Sequence, residues 1–282
     1  MKKRVLFAIQ GEGRGHMTQS IALKTMLDKN NFELVGAIIG TSSQRKIPEF
    51  VRESLNIEIF EVQSPNFITD KKNKGIDIPR SIFKNLFIFP KFLKTLDKVD
   101  SIIADSQPDL IISFYEPLIG LKHLLRKKGK YKFICIAHQY LSIHPEFKMP
   151  KGFHAEKRAL QFFTNLTAKK SDLLLGLSFY QMPSFLKKNI AVAPPLLRQS
   201  VREKKIKNEG FLLIYLLNSG YKTSIEKWHD DNPEIPIHCF MDDPELKGER
   251  KVDDNLSFHQ LDGEKFLDLM SRSMGLVSTA GF

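Results

Sequence analysis

The residues best suited to chemistry in this 282-residue chain follow a glycine-rich loop near its start. A buried-strand pattern from Arg4 to Gln10 runs into the sequence Gly-Glu-Gly-Arg-Gly-His, and a helical pattern begins at His16. Glycines let a backbone approach a ligand closely, and free N–H groups at a helix start attract anions. We therefore take Gly13, Arg14 and Gly15 as a candidate binding loop and His16 as a candidate base.

Two further titratable residues follow predicted strands. Glu116 comes after the strand pattern 109–114, and His138 comes after the pattern 132–137. The carboxyl ends of parallel strands meet at one edge of a sheet, so both residues are expected near His16. A neutral histidine can take a proton from a hydroxyl group, and a carboxylate can orient it. The alternative for Glu116 and His138 is that each is an ordinary polar loop residue.

The same loop has a plainer interpretation as a structural turn. It departs from the dinucleotide pattern Gly-x-Gly-x-x-Gly, and the sequence has no phosphate-binding Gly-Lys-Ser/Thr. It also has no Asp-x-Asp. The adjacent pairs Asp242-Asp243 and Asp253-Asp254 would point to opposite sides of an extended segment, so they are interpreted as solvated loop charges. No metal site and no cofactor are expected.

Apolar strand patterns alternate with helical stretches along most of the chain, which predicts an α/β fold with mainly parallel sheets. Two prolines at 194 and 195 and a charged stretch at 201–210 mark a boundary, so the predicted domains are 1–198 and 199–282. A second strand and glycine turn begin at Phe211. The longest apolar run, Phe211 to Leu217, is far shorter than the ~20 residues of a spanning helix.

Charge is distributed unevenly between these two parts. Residues 1–200 carry a net charge of +15 and residues 201–282 carry −4. A basic part favours polyanions, an anionic membrane surface or an acidic substrate. The basic and phenylalanine-rich stretch 79–98 is a candidate for resting on a membrane surface, and packing of its phenylalanines on the sheet is the alternative. Cys135 and Cys239 lie in short apolar runs and are expected to be buried thiols in a reducing cytoplasm.

Several motifs in order resemble the GT-B glycosyltransferases, and the likeness covers nearly the whole chain. They are the opening Gly-Glu-Gly-Arg-Gly-His, Tyr-Glu-Pro at 115–117, Pro-Pro-Leu-Leu-Arg at 194–198, Leu-Leu-Asn-Ser-Gly at 216–220 and Ser-Thr-Ala-Gly-Phe at 278–282. Within that class the chain is most similar to the group related to the lipid-linked N-acetylglucosaminyltransferase of peptidoglycan synthesis, the family 28-like enzymes.

The resemblance implies two Rossmann-like, doubly wound domains, with the acceptor bound mainly by the first and a UDP-type sugar mainly by the second. His16 falls at the family's candidate base, with Glu116 as its expected orienting partner. Gly13, Arg14, Gly15 and His138 become candidate acceptor-binding residues. The candidate donor-binding residues lie on two turns of the second domain: Asn218, Ser219, Gly220, Ala280 and Gly281. The family's next helix carries an acidic residue for the donor ribose. This sequence ends before that helix, so we expect an incomplete second domain.

The expected reaction is transfer of a hexose or N-acetylhexosamine to a hydroxyl of a glycan or lipid-linked acceptor, without a metal and with inversion. Helix dipoles and backbone N–H groups can stabilise the leaving diphosphate. The expected location is the cytoplasm, at the inner membrane surface, in the synthesis of cell-envelope polysaccharide. The alternatives are a sugar-nucleotide epimerase on the same fold and a non-catalytic protein that binds anionic surfaces or nucleic acid. No nucleic-acid-binding signature accompanies the positive charge, so nucleic acid is not an expected partner.

Overall fold

The computed structural model describes residues 1–12, 14–42, 46–65, 89–243 and 245–278, without the side chains of Phe89, Leu217, Asn218 and Ser219. The chain divides into two compact units, and the division falls between Arg198 and Gln199.

The first unit is built on a seven-stranded sheet in which every pair of neighbours is parallel, in the order β3-β2-β1-β4-β5-β6-β7. Its strands are β1 (Lys3–Gln10), β2 (Phe32–Thr41), β3 (Ile59–Gln63), β4 (Leu110–Phe114), β5 (Lys132–Ala137), β6 (Leu173–Leu177) and β7 (Ile190–Ala193). Its described helices are α1 (Arg14–Asp28), α2 (Glu49–Leu55), α3 (Phe89–Ser106), α4 (Pro117–Leu125) and α5 (His154–Thr167), with 3₁₀ turns at His138–Ile143 and Leu186–Lys188. The parallel, doubly wound sheet confirms the predicted α/β class.

The central strand shows why the chain forms a covered sheet. Residues 5–9 of β1 are all apolar and none is exposed to solvent. Leu6 and Ala8 pack into a core on one face, and Val5, Phe7 and Ile9 pack into a core on the other. Successive side chains of a strand point to opposite faces, so a strand that is apolar throughout needs cover on both sides.

The second unit contains a five-stranded sheet in the order β10-β11-β9-β8-β12. Its strands are β8 (Leu212–Asn218), β9 (Ile237–Asp242), β10 (Glu249–Lys251), β11 (Leu256–Gln260) and β12 (Gly275–Ser278). Its helices are the short α6 (Gln199–Arg202), α7 (Lys222–Asp231) and α8 (Gly263–Arg272), with a 3₁₀ turn at Ser219–Tyr221. The edge strand β10 is the one antiparallel member. The sequence analysis missed it because its three charged, exposed residues carry no apolar pattern.

Both cysteines are buried free thiols, as predicted. The basic residues in the last turn of α4 and just after it are only partly solvated. Lys122 is 4% exposed, and its Nζ lies 3.2 Å from a carboxylate oxygen of Asp100. Arg126 pairs with Asp97 and with the same Asp100. Carboxylates of α3 therefore neutralise part of the positive charge that the sequence assigned to the surface.

The stretch 79–98 lies partly outside the described residues, which begin again at Phe89. In the described part, Phe92 is 1% exposed and belongs to the core of the first unit, together with Leu96. Lys91, Lys94 and Lys98 are exposed on the other side of α3. Packing on the sheet, the alternative given for this stretch, therefore holds for Phe92. Across the described ranges, no helix is long and apolar enough to cross a membrane.

Candidate active site

The candidate site lies at the carboxyl edge of the seven-stranded sheet, beside the point where the strand order reverses. β1 lies between β2 and β4, so the chain winds outward from it in both directions. Open α/β sheets bind their ligands at such switch points. His16 lies in the first turn of α1, which follows β1, and Glu116 follows β4. His138 opens the 3₁₀ turn that follows β5.

His16 is a buried residue held among flat rings. Its side chain is 6% exposed, and its ring lies nearly parallel to that of Tyr115, with 5.7 Å between centroids. The ring of His138 is also nearly parallel to it, at 6.2 Å. His16 Nε2 lies 3.3 Å from the amide nitrogen of Gln139. An amide nitrogen can only donate, so we assign Nε2 as the acceptor and place the proton of the neutral ring on Nδ1.

The electrostatic surroundings keep this imidazole uncharged. Burial, and secondarily the neighbouring His138, lower the pKa of His16 from 6.5 to about 3. Gln19, one turn further along α1, opposes the shift as a hydrogen-bond partner, although His16 Nδ1 reaches no ordinary hydrogen-bond geometry with any described residue. Burial also lowers the pKa of His138. His16 is therefore neutral at pH 7, with a lone pair on Nε2 that can receive a proton.

No hydrogen bond joins Glu116 to His16 in the described structure. Its side chain is fully buried and caps α4, where Oε1 accepts a hydrogen bond of 3.0 Å from the Leu118 backbone N–H. The same oxygen accepts a 2.6 Å bond from the Ser64 hydroxyl. The backbone turn between β4 and α4 explains the difference from the expected pairing, because it presents the ring of Tyr115, and not the carboxyl group of Glu116, to His16.

The environment of Glu116 favours its protonated form. Burial raises its pKa from 4.5 to about 7, and the charge of Glu12 adds to the shift, while the bonds from Ser64 and Leu118 oppose it. A Cβ atom on Gly40, at the end of β2, would lie 2.1 Å from Glu116 Oε2. A glycine is therefore needed where this carboxyl group packs against the sheet edge.

Tyr115, Gln139, Ser64 and Gly40 are the site residues that sequence reasoning missed. Tyr115 had a usable signal, since it precedes Glu116 in the Tyr-Glu-Pro motif. The other three residues have no such signal in the sequence, because each contributes through a contact with a residue that is distant in the sequence.

The glycine loop is described except for Gly13. Arg14 begins α1, and Gly15 is exposed in the first turn of that helix. A Cβ atom on Gly15 would meet no described atom within 4 Å. Gly11 differs, because a Cβ there would lie 2.9 Å from the Gly40 carbonyl oxygen. Packing within the protein therefore explains the glycine at position 11, and no contact with a described residue explains the glycine at position 15.

The Gly15→Ala substitution tests this interpretation. Without a ligand, alanine should stabilise α1 by roughly 0.5–1 kcal/mol, since it loses less backbone entropy on folding. We expect sugar transfer to fall at least tenfold all the same, because Gly15 is a predicted acceptor-binding residue and the added methyl group would stand where the acceptor is expected to bind. Urea unfolding and transfer rates check both parts. Met26→Ala, exposed at the far end of α1, is the control. Unchanged transfer by Gly15→Ala would show that the loop is only a turn.

The second unit places the Leu-Leu-Asn-Ser-Gly motif at a strand-to-helix junction. β8 ends at Asn218, the 3₁₀ turn Ser219–Tyr221 follows, and α7 begins at Lys222. Gly220 is half-buried in that turn. The side chains of Asn218 and Ser219, and all of Ala280 and Gly281, lie outside the described residues, so their assignment to the donor stays a prediction.

The adjacent aspartate pairs make hydrogen bonds within the second unit. No cluster of three or more His, Cys, Asp or Glu side chains suited to a metal ion occurs in the described ranges. Asp253 is not simply a solvated charge, because its carboxylate lies 2.8 Å from His229 Nε2 and accepts backbone N–H bonds from Asn255 and Leu256. Asp243 accepts a bond from the Glu245 backbone N–H.

The two helix-covered sheets, the first parallel throughout and the second parallel except for β10, have the architecture of the GT-B glycosyltransferases. The chain belongs to glycosyl transferase family 1, whose sequence profile matches residues 3–282. The prediction that the chain is a GT-B glycosyltransferase is confirmed. None of the curated proteins is significantly similar to the chain.

Solved structures share the fold at low sequence identity. UGT89C1 of Arabidopsis thaliana in complex with UDP-L-rhamnose is 14% identical, with a TM-score of 0.58, and the alignment covers 100% of this chain and 75% of that one. The glycosyltransferase of kitacinnamycin is 14% identical, with a TM-score of 0.59, over 100% and 76% of the two chains. The UDP-N-acetylglucosamine 2-epimerase of Rickettsia bellii is 11% identical, with a TM-score of 0.54, over 99% and 75%.

Proposed function

We propose that this glycosyltransferase moves a hexose or N-acetylhexosamine from a UDP-type sugar to a hydroxyl of a glycan or lipid-linked acceptor, without a metal and with inversion. The observation that carries the proposal is the neutral His16 imidazole at the switch point, with Nε2 as a hydrogen-bond acceptor. A base that removes a proton from an attacking hydroxyl needs such an atom.

In the proposed reaction the acceptor hydroxyl takes the place of the Gln139 amide at His16 Nε2. Its oxygen attacks the anomeric carbon, its proton passes to Nε2, and the bond between the anomeric carbon and the diphosphate oxygen breaks. Attack from the side opposite the leaving group inverts the anomeric configuration. Backbone N–H groups at the start of a helix can stabilise the leaving diphosphate, and α7 after the Ser219–Tyr221 turn is our candidate for that role.

The plant structures support a UDP-type donor, since UGT89C1 was solved with UDP, with UDP-L-rhamnose and with quercetin. The Rickettsia epimerase shares the fold and keeps a second candidate reaction open. The two reactions differ in what they need, because an epimerase turns over a sugar nucleotide alone and a transferase requires a second substrate.

Nucleotide binding is the first test of this function. We expect UDP at 100 times its dissociation constant to raise the free energy of unfolding by about 2.7 kcal/mol, and GDP, TDP and NAD to act much less. Thermal unfolding with each ligand measures this, and UDP release with and without an acceptor separates transfer from epimerisation. A chain that unfolds cooperatively but responds to no nucleotide would contradict the proposal.

Residues 79–98 remain our candidate contact with an anionic membrane surface, through the exposed lysines of α3, in keeping with a lipid-linked acceptor and a cytoplasmic location. A role in cell-envelope polysaccharide synthesis belongs to the same proposal. Binding to vesicles with and without anionic lipid tests it.

A further inference from the structure

Tyr115 has an unusual place beside the proposed base. It joins β4 to α4 with a left-handed backbone (φ 61°), a conformation that side chains other than glycine rarely adopt. Tyr115 is 3% exposed, and its backbone forms an isolated antiparallel β-bridge with Ile9, near the end of β1. Such strain persists only where the surrounding structure enforces it, and it is concentrated at functional sites.

The tyrosine ring is held from several sides. Its hydroxyl oxygen lies 2.7 Å from the hydroxyl oxygen of Thr164, a fully buried residue of α5. The rings of Tyr140 and Phe163 pack against it at inclined angles, each with 5.6 Å between centroids. Burial raises the pKa of Tyr115 to about 12, so its hydroxyl stays protonated and can keep this bond.

The ring of His16 lies against this fixed surface. The two rings are inclined by 19°, with centroids 5.7 Å apart, which is an offset stack. A catalytic histidine is usually oriented by a hydrogen bond to its second nitrogen. Here Nδ1 has no such bond of ordinary geometry among the described residues, and Glu116 is used elsewhere. Besides the contact of Nε2 with Gln139, which the acceptor hydroxyl replaces in the proposed reaction, the stacked rings are then the contacts that orient His16.

We infer that Tyr115, anchored by Thr164, is a positioning residue that holds the His16 imidazole in its reactive orientation. The inference rests on the proposed role of His16 as the base. When that ring gains a proton, the face of Tyr115 also offers an attractive surface for the cation, since the centroid distance is within about 6 Å. The tyrosine would thus support the ring both before and after the proton is transferred.

Tyr115→Phe and Thr164→Val each remove the anchoring hydrogen bond and leave the stacked ring in place. The chain offers a matched control, because the Tyr140 hydroxyl lies 3.1 Å from that of Thr167, one turn further along α5. Tyr140 and Thr167 are also fully buried. Tyr140→Phe and Thr167→Val therefore remove a comparable buried bond, one whose tyrosine is not stacked on His16. Phenylalanine at position 140 keeps the ring that packs on Tyr115.

We expect each anchor variant to lower kcat about tenfold with little change in KM, and the double variant to be no slower than either single one. The control variants should lower the melting temperature by a similar amount and keep kcat within twofold. Equal effects of the two pairs on kcat, or an unchanged kcat in Tyr115→Phe, would overturn the inference.

A second measurement needs no substrate and so separates this inference from the proposed function. The ¹⁵N and Hε1 NMR signals of His16 should move or broaden in the anchor variants and stay in place in the control variants. His16 signals that are indifferent to Tyr115→Phe would overturn the positioning role. Moved signals, in a protein that binds no UDP, would leave the positioning intact and remove the transferase.

Discussion

Replacing His16 by alanine is expected to slow sugar transfer roughly 100- to 10,000-fold, which is the usual contribution of a general base. The variant should still bind donor, since a base acts on the acceptor hydroxyl. Initial rates at saturating donor, with UDP binding measured in parallel, check this. A variant that transfers sugar at the wild-type rate would remove His16 from the base role.

His16→Ala should also change the acid stability of the protein. The pKa of His16 is about 3 in the folded chain and 6.5 in the unfolded one, so the unfolded state binds the proton more tightly. Wild-type stability is therefore lost as the pH falls from about 6.5 towards 3, and the variant should lose less over that window.

His123 provides a matched control for removal of a buried histidine. It is fully buried in α4, bonds to the Tyr131 hydroxyl at 2.8 Å, and has a pKa that burial lowers to about 4. We expect His123→Ala to unfold at lower urea concentration and to transfer sugar at an unchanged rate per folded molecule. An equal loss of transfer in the two variants would indicate general damage and not the loss of a base.

Glu116→Gln is expected to stabilise the protein above neutral pH. The pKa of Glu116 is about 7 when folded and 4.5 when unfolded, so the folded state binds the proton more tightly. This contribution is complete below pH 4.5 and is lost as the pH rises through 7. The neutral amide keeps the uncharged form at every pH. We expect an advantage of up to about 3 kcal/mol at pH 8, and almost none at pH 4.

Urea unfolding of wild type and Glu116→Gln at pH 4, 6 and 8 measures that difference, and ionisations common to both proteins cancel. Glu12→Gln is the companion variant, since it removes only the like charge that adds to the shift. It should bring the folded-state pKa of Glu116 closer to 4.5, so that the loss of stability between pH 4 and 8 becomes smaller, without disappearing, and levels off at a lower pH. Stability curves that run parallel from pH 4 to 8 would show that Glu116 titrates normally.

Sequence reasoning anticipated the sheet edge better than the contacts at it. The apolar runs of β1, β4 and β5 placed His16, Glu116 and His138 at neighbouring strand ends, because period and burial identify strands and parallel strands end at a common edge. The expected pairing of Glu116 with His16 is not formed, because the Glu116 carboxyl group bonds to Ser64 and Leu118. Strand order gives the neighbourhood of a residue, while the direction of its side chain depends on the local turn.

The pairing of charged residues was also not predictable from the sequence. In the sequence Lys122 is one charge of a basic part of the chain, yet the structure buries it beside Asp100 of α3. The contact joins helices that are adjacent only because both pack on the same face of the sheet. Such pairing leaves no local pattern, whereas a helix or strand does.

The sequence by itself determined the α/β class and the strand, loop and helix that present His16, because these depend on periodicity and turn chemistry within short stretches. Only the tertiary structure decided which ring touches His16 and which form of Glu116 is stable. Tyr115 is held by Thr164, 49 residues away, and Glu116 by Ser64 and the close approach of Gly40. A pKa and a ring orientation sum over neighbours in space, and those neighbours come together only when the chain has folded.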